Sequence, residues 1–215
     1  MNVGIVLAGG VGRRFGSDLP KQYQTINGHE VLFYAINALK KSISIDKIVV
    51  VAQDEYADGI KKSYLDIEVV EGGNTRNVSL YNALYFIKNN YSCDKVIILE
   101  AARPMITSQI VDNYIQRLDR ADAVITGQKI VASLGSYTMH VVDRENYYLI
   151  EAPEAFRFDL LCNNFDKDSK TITATNQHLP PDSKLDINFD FANNVKITYP
   201  SDLKYCERLM NENEI

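Results

Sequence analysis

Three cysteines (Cys93, Cys162 and Cys206) are too few, too far apart and odd in number for a disulfide framework, and none forms a C-x-x-C pair. They read as reduced thiols of a cytosolic protein. The three histidines, His29, His140 and His178, have no second His or Cys at ligand spacing, which leaves a histidine zinc site or a Ser-His-Asp hydrolase without support. No apolar run approaches the ~20 residues of a membrane span. The first apolar run, Val3–Leu7, is short, lacks a basic stretch before it and meets Gly9-Gly10 at once. No secretory signal is read there, and a cytoplasmic location with no membrane partner is expected. There is also no excess of positive charge. The net charge of −5 speaks against a global surface for nucleic acid or anionic lipid, although a local basic cluster occurs near the N-terminus.

What is present is ordinary for a globular chain. A hydrophobic share of 46% and a charged share of 24% exclude a disordered tail protein. The 215 residues suit a single domain able to bury roughly 70% of its unfolded surface. Continuous apolar runs predict strands over Asn2–Leu7, Lys47–Ala52, Ile67–Val70, Lys95–Leu99 and Ala121–Thr126. Because these runs do not alternate, they predict strands covered on both faces. Apolar residues at helical spacing predict helices over Val31–Lys41, Ser79–Lys88 and Ser108–Leu118. The alternation argues for an α/β layered fold with a mostly parallel sheet. After Thr126 the pattern changes. Leu134-Gly135-Ser136 signals a turn and Thr138–Val142 is strand-like, so residues 132–150 read as a β-arm that leaves and rejoins the domain; an ordinary edge hairpin is the plainer alternative. A helix over Phe158–Asn164, a polar loop over Asp166–Asn188, a strand over Asn193–Thr198 and a closing helix over Ser201–Asn211 complete the prediction.

The most informative segment follows the first strand: Leu7-Ala8-Gly9-Gly10-Val11-Gly12-Arg13-Arg14-Phe15, leading to Pro20-Lys21-Gln22-Tyr23. Glycines let backbone approach phosphates closely, and successive N–H groups form an anion cradle. Arg13, Arg14 and Lys21 place three positive charges on the same loop, which suits a triphosphate. Walker A fails for want of G-K-[ST]. The dinucleotide fingerprint fails because Phe15 stands where its third glycine belongs, which also speaks against an NAD-dependent oxidoreductase. A glycine-rich turn with solvated basic residues is the plainer alternative.

Further motifs follow in order: Glu71-Gly72-Gly73-Asn74-Thr75-Arg76-Asn77-Val78-Ser79, Glu100-Ala101-Ala102-Arg103-Pro104, Asp143-Arg144, Ala152-Pro153-Glu154-Ala155-Phe156 and Asn194-Val195-Lys196-Ile197-Thr198-Tyr199-Pro200-Ser201-Asp202-Leu203. Together with the glycine loop they resemble the cytidylyltransferases that act on methylerythritol phosphate or ribitol 5-phosphate. The resemblance spans residues 3 to about 207. It implies a Rossmann-like nucleotidyltransferase three-layer sandwich and a homodimer through the 132–150 arm. It implies attack of an acceptor phosphate oxygen on the α-phosphorus of CTP, with loss of pyrophosphate and with Mg²⁺ as cofactor. By motif, Arg14 and Lys21 would stabilise the transition state, Lys196 would hold phosphates from the far side, and Arg144 would grip the acceptor phosphate. Leu7, Ala8, Gly9, Gly10 and Gly12 would lie against the triphosphate, Gly72, Gly73, Arg76 and Ser79 against cytosine and ribose, and Arg103 near them. Glu100 would ligate the metal. Plainer readings stand beside these: a solvated Lys196, Ser79 as a helix cap, Arg144 paired within the arm, and Arg103 in a surface ion pair.

The acceptor half departs from the family pattern. Glu100 replaces an Asp, and the usual Thr-Pro-Gln is Ala152-Pro153-Glu154. The usual Thr-Asp-Asp/Glu-Ala is Thr173-Ala174-Thr175-Asn176, and an Asp-Thr pair has no clear counterpart near Ile130-Val131. Glu154 is expected to face the acceptor and favour an amine or another donor there. A small phosphorylated polyol or a phosphonate, closer to the ribitol-phosphate branch, is the expected acceptor, with poor turnover of methylerythritol phosphate. The alternatives are a methylerythritol-phosphate enzyme of isoprenoid synthesis and a noncatalytic nucleotide-binding homologue.

Overall fold

The runs without polar alternation form the middle of one seven-stranded sheet in the computed structural model, which describes residues 1–10 and 14–213. In chain order the elements are β1 (Asn2–Leu7), β2 (Thr25–Ile26), β3 (His29–Glu30), α1 (Val31–Lys41), β4 (Lys47–Ala52), α2 (Asp54–Ser63), β5 (Glu68–Glu71) and α3 (Arg76–Asn90). They continue as β6 (Lys95–Glu100), α4 (Ser108–Arg117), β7 (Ala123–Lys129), β8 (Tyr148–Arg157), α5 (Phe158–Asn164), β9 (Leu185–Asn188) and α6 (Pro200–Asn213). The sheet order is β5-β4-β1-β6-β8-β7-β9, and β8 alone runs antiparallel to its neighbours; β2 and β3 form a separate small hairpin. This is the expected three-layer α/β sandwich with a mostly parallel sheet.

Successive residues of each central strand point to opposite faces. Val6, Val50, Ile97 and Leu99 pack with α1 and α4 through Leu32, Ile36, Leu39, Tyr114 and Ile115. Val3, Ile5, Val49, Val51 and Ile98 pack with α3 through Leu80, Leu84 and Ile87. Gly4 lets α1 approach β1 closely: a Cβ there would lie 2.6 Å from Leu39 Cδ2. Among the described residues no helix is long and apolar enough to cross a membrane.

Four expectations need correction. The Asn193–Thr198 segment forms no strand; Ile197 N–H donates to Ala102 O at 2.8 Å, and its side chain is buried beneath α6. The seventh strand is β9, inside the stretch read as a polar loop. The arm is strand-paired only at its stem, where Thr126–Lys129 pairs with Tyr148–Glu151, and the strand expected over Thr138–Val142 does not form. Helix α2 was not expected: its apolar face is only Tyr56, Ala57 and Ile60, of which Ile60 alone is buried, and the rest of the helix is polar or charged.

Candidate active site

The parallel strands end together, and their carboxyl ends open into one cavity of about 490 Å³. This is the crevice where open α/β sheets commonly bind ligands. Backbone bonds join the strand ends: Ala8 N–H to Val51 O at 2.8 Å, Gly72 N–H to Ala52 O at 2.8 Å and Ala101 N–H to Leu7 O at 3.0 Å. One wall is Leu7, Ala8, Gly9 and Gly10; the facing wall is Gly72–Arg76 with Ser79; Glu100–Ala102, Lys21 and Lys196 close the base. Gly12 and Arg13 lie outside the described residues.

Each wall is held by a side chain. Gln22, buried beside the loop, donates through Nε2 to Ala8 O at 2.6 Å and Gly10 O at 2.9 Å. On the other wall Ser79 Oγ accepts from Gly73 N–H at 3.0 Å and donates to Gly73 O at 3.3 Å. Ser79 therefore grips the glycine loop rather than capping α3; Thr75 Oγ1 caps it by accepting from Val78 N–H. A Cβ on Gly73 would lie 2.2 Å from Val78 Cγ1, so this turn requires glycine.

The base of the cavity is strongly charged. Glu100 Oε2 lies 2.7 Å from Lys196 Nζ and 3.3 Å from Arg103 Nε, and Oε1 lies 3.8 Å from Arg76 Nε. Burial pushes the Glu100 carboxyl up, but Lys196, Arg103 and Arg76 together outweigh it and hold the carboxyl below its usual range. Lys21 Nζ donates to Ile197 O at 2.6 Å. Its pKa is lowered, chiefly by burial and then by the charge of Lys196. Arg14 is exposed and is not among the residues lining this cavity, yet its charge also acts on Lys21.

Among the described residues no cluster of three His, Cys, Asp or Glu side chains could cage a metal ion. Glu100 is a single hard-oxygen donor facing a cavity sized for phosphates. Mg²⁺ is commonly held by one or two carboxylates with substrate phosphates and water completing its shell, so the donor set fits that ion.

A second cavity of about 610 Å³ adjoins the first and shares Lys196 with it. Gln128, Lys129, Glu151, Phe189 and Asp190 are among its lining residues. Three of the candidates lie outside both cavity linings. Glu154 faces neither cavity: it is 2% exposed, and its oxygens accept from Arg76, Thr175 N–H and Asn176 N–H. Arg103 lines neither cavity and is no surface residue. It is buried, and binds Glu100, Glu151 at 3.2 Å and Asn194 O at 2.6 Å. Arg144 sits on the exposed arm, donating to Val131 O and pairing with Glu145 at 3.2 Å, and lines neither cavity of its own chain.

The sequence profile of the family described as "IspD: 2-C-methyl-D-erythritol 4-phosphate cytidylyltransferase" matches residues 2–212. This chain belongs to that family. It is a CTP-dependent cytidylyltransferase. It is 28% identical to the 2-C-methyl-D-erythritol 4-phosphate cytidylyltransferase of Thermotoga neapolitana, over 99% of this chain and 98% of that one. It is 34% identical over 94% of its length to the bifunctional enzyme IspD/IspF of Pelagibacter ubique, of which it spans only 55%. The 4-diphosphocytidyl-2C-methyl-D-erythritol synthase of Anaerococcus prevotii shares the fold, with a TM-score of 0.82 at 23% identity, covering 98% of this chain and 96% of that one. These names favour the methylerythritol-phosphate alternative over the ribitol-phosphate reading expected from the altered acceptor motifs.

Proposed function

We propose that this enzyme transfers CMP from CTP to 2-C-methyl-D-erythritol 4-phosphate and releases pyrophosphate. The observation that carries the reaction is the meeting of two cavities at Lys196, one walled by glycine loops and one lying against the arm stem. The identity of the acceptor rests on the names of the relatives. In this reading the triphosphate lies along Leu7–Gly10 and the base against Gly72–Arg76. The acceptor enters the second cavity, and its phosphate reaches the α-phosphorus beside Lys196.

The reaction is mostly positioning and charge stabilisation, and needs no covalent enzyme intermediate. An acceptor oxygen forms the new P–O bond as the bond to the pyrophosphate oxygen breaks. Lys21, Arg14 and Lys196 offset charge growing on the non-bridging oxygens and the leaving group. Glu100 is the residue that would hold Mg²⁺, which when bound supplies further neutralisation of the phosphates. Lys196, which pairs with Glu100 at 2.7 Å, would then be free to meet a phosphate. We further propose a cytoplasmic homodimer through the exposed arm, where Val131, Tyr137 and Val141 stand in solvent. Arg144 then contributes to the partner's acceptor cavity.

A second reading, another small phosphorylated acceptor, is favoured by Lys129 in the cavity wall, beside the place where the family pattern has an Asp-Thr pair. Pyrophosphate release with CTP and Mg²⁺ separates the two. Methylerythritol phosphate is expected to exceed ribitol 5-phosphate and an aminoalkyl phosphonate by at least about 10²-fold in kcat/KM. Preference for either of the others refutes the first reading.

A further inference from the structure

The second cavity carries charge of both signs: Lys129 and Lys196 line it, and so do Glu151 and Asp190. Asp190 is exposed, whereas the Glu151 side chain is only 19% exposed. Glu151 sits at the break in the β7–β8 ladder. Ile125 pairs with Glu154 and Thr126 with Glu151, so Ala152 and Pro153 drop out of that pairing. Their carbonyls accept instead from Asn194 Nδ2 at 2.7 Å and Thr126 Oγ1 at 2.8 Å. Successive strand residues face opposite sides of a sheet, and here Glu154 is buried in the fold while Glu151 lines the cavity. Asn194 Nδ2 also donates to Glu151 Oε2 at 2.8 Å, and Arg103 Nη1 lies 3.2 Å from the same oxygen. Asn194 and Arg103 are both buried, so they hold the carboxylate in one orientation. Among the described residues no donor meets Glu151 Oε1, and this oxygen is not one of the enclosed polar atoms that lack a partner. Oε1 is therefore the carboxylate oxygen left open to the cavity.

We propose that Glu151 is a specificity-determining residue of the acceptor cavity, its Oε1 accepting a hydrogen bond from a hydroxyl of the acceptor. This role rests on the proposed function for the occupant of the cavity. The order of charges supports it. Lys196, at the junction of the two cavities, and Lys129 suit the acceptor phosphate, which a carboxylate repels. Glu151 therefore meets the uncharged part of the acceptor. Arg103 already answers the charge of Glu151, so what Oε1 lacks is a donor rather than a second cation, and a hydroxyl supplies one. A site built to bond a hydroxyl rejects the analogue that lacks it, because its own polar atom is left unpaired. Glu151 takes no part in making or breaking bonds to phosphorus.

Glu151→Gln separates this role from a structural one. Its amide oxygen keeps the place of Oε2, where Asn194 and Arg103 donate, so its amide nitrogen takes the place of Oε1 and an acceptor becomes a donor. Full-length parent and variant are assayed by pyrophosphate release with CTP, Mg²⁺ and either methylerythritol phosphate or each of its monodeoxy analogues. In the parent, at least one analogue should lose about 10²-fold in kcat/KM. Glu151→Gln should lose about as much on methylerythritol phosphate itself, while the KM for CTP changes by less than about threefold. The penalty for that same analogue should shrink in the variant to less than about threefold, because the hydroxyl and its acceptor atom act as one pair. Deoxy penalties that the substitution leaves unchanged, or an equal loss in the KM for CTP, overturn the role. If Glu151→Gln does not fold, Glu151→Asp takes its place under the same criteria, since it keeps a charge for Arg103 and withdraws the carboxylate from the cavity. A parent that prefers ribitol 5-phosphate refutes the proposed acceptor alone, and the comparison is then decided on ribitol 5-phosphate and its deoxy analogues. A parent that transfers CMP to neither overturns both.

Discussion

Replacing Arg103 with Met removes a cation that joins Glu100, in the first cavity, to Glu151, in the second. Met keeps most of the stem's volume, so the loss is electrostatic. The side chain of Arg103 is 9% exposed, and those of Glu100 and Glu151 are 16% and 19% exposed, so solvent screens these pairs weakly. Removing one partner of a buried ion pair costs about 3–5 kcal/mol, partly because the remaining charge is stranded. At about 2–4 °C per kcal/mol for a domain this size, the melting temperature should fall by about 6–20 °C. Arg103→Lys keeps the charge, but its single head cannot span both carboxylates and the Asn194 carbonyl, so an intermediate loss is expected. The pH dependence has a definite sign. The Glu100 carboxyl is held below its ordinary 4.5, against the push of burial, by Lys196, Arg103 and Arg76. Its stabilisation is present above that value and is lost as pH falls through the depressed one. The deficit of Arg103→Met should therefore be full at neutral pH and shrink under acid. Thermal melts followed by circular dichroism at neutral and acidic pH decide it. A neutral shift below about 2 °C, or a raised KM for CTP with unchanged melting, would return Arg103 to a surface or ligand-binding role.

Lys21→Ala and Arg14→Ala should each lower kcat by about 10²–10³ with a smaller effect on CTP affinity, and wild-type turnover in Lys21→Ala would remove the transition-state role. Since burial, and then Lys196, lower the Lys21 pKa from 10.5, activity should decline with rising pH before a free lysine would discharge; Lys21→Arg should move that limb upward, and an unmoved limb rejects Lys21 as its source. CTP should bind more tightly than ATP or GTP in Mg²⁺, equal affinity being the refuting result of a titration series. Light scattering at micromolar concentration should report a dimer, and a monomer there would refute the arm contact.

Much of the nucleotide half was legible because its chemistry is carried by residue type in a contiguous run. Gly9, Gly10 and Lys21 stood out by residue type, Gly72, Gly73, Arg76 and Ser79 only through the family resemblance, and all of them line the first cavity. Helix α1 was predicted to its observed limits because Val31, Leu32, Ala35, Ile36, Ala38 and Leu39 are all buried and mark one face. Strand β9 was missed because, as an edge strand, it buries no residue fully and carries Asp186, which Arg117 holds at 2.7 Å. The role of Glu154 had no local signature at all. Its partners lie 21, 22 and 78 residues away, and a carboxylate meeting helix α3 from across the sheet leaves no spacing in the chain.

The stem of the arm has a consequence for how such a chain can change. Lys129 and Tyr148 are directly paired, so residues 130–147 form an excursion whose two ends are pinned one strand apart. Closing a loop costs little more as it grows: doubling its length adds only about 0.6 kcal/mol of chain entropy. Insertions and deletions in the tip are thermodynamically cheap for the fold of the single chain. The irregular register just inside the stem, between Ile125 and Thr126, has no such freedom, because slipping it by one residue would turn every side chain beyond it to the opposite face. Changes in length are therefore cheaply acquired at the tip of the arm, while drift at its root is met with loss of the fold.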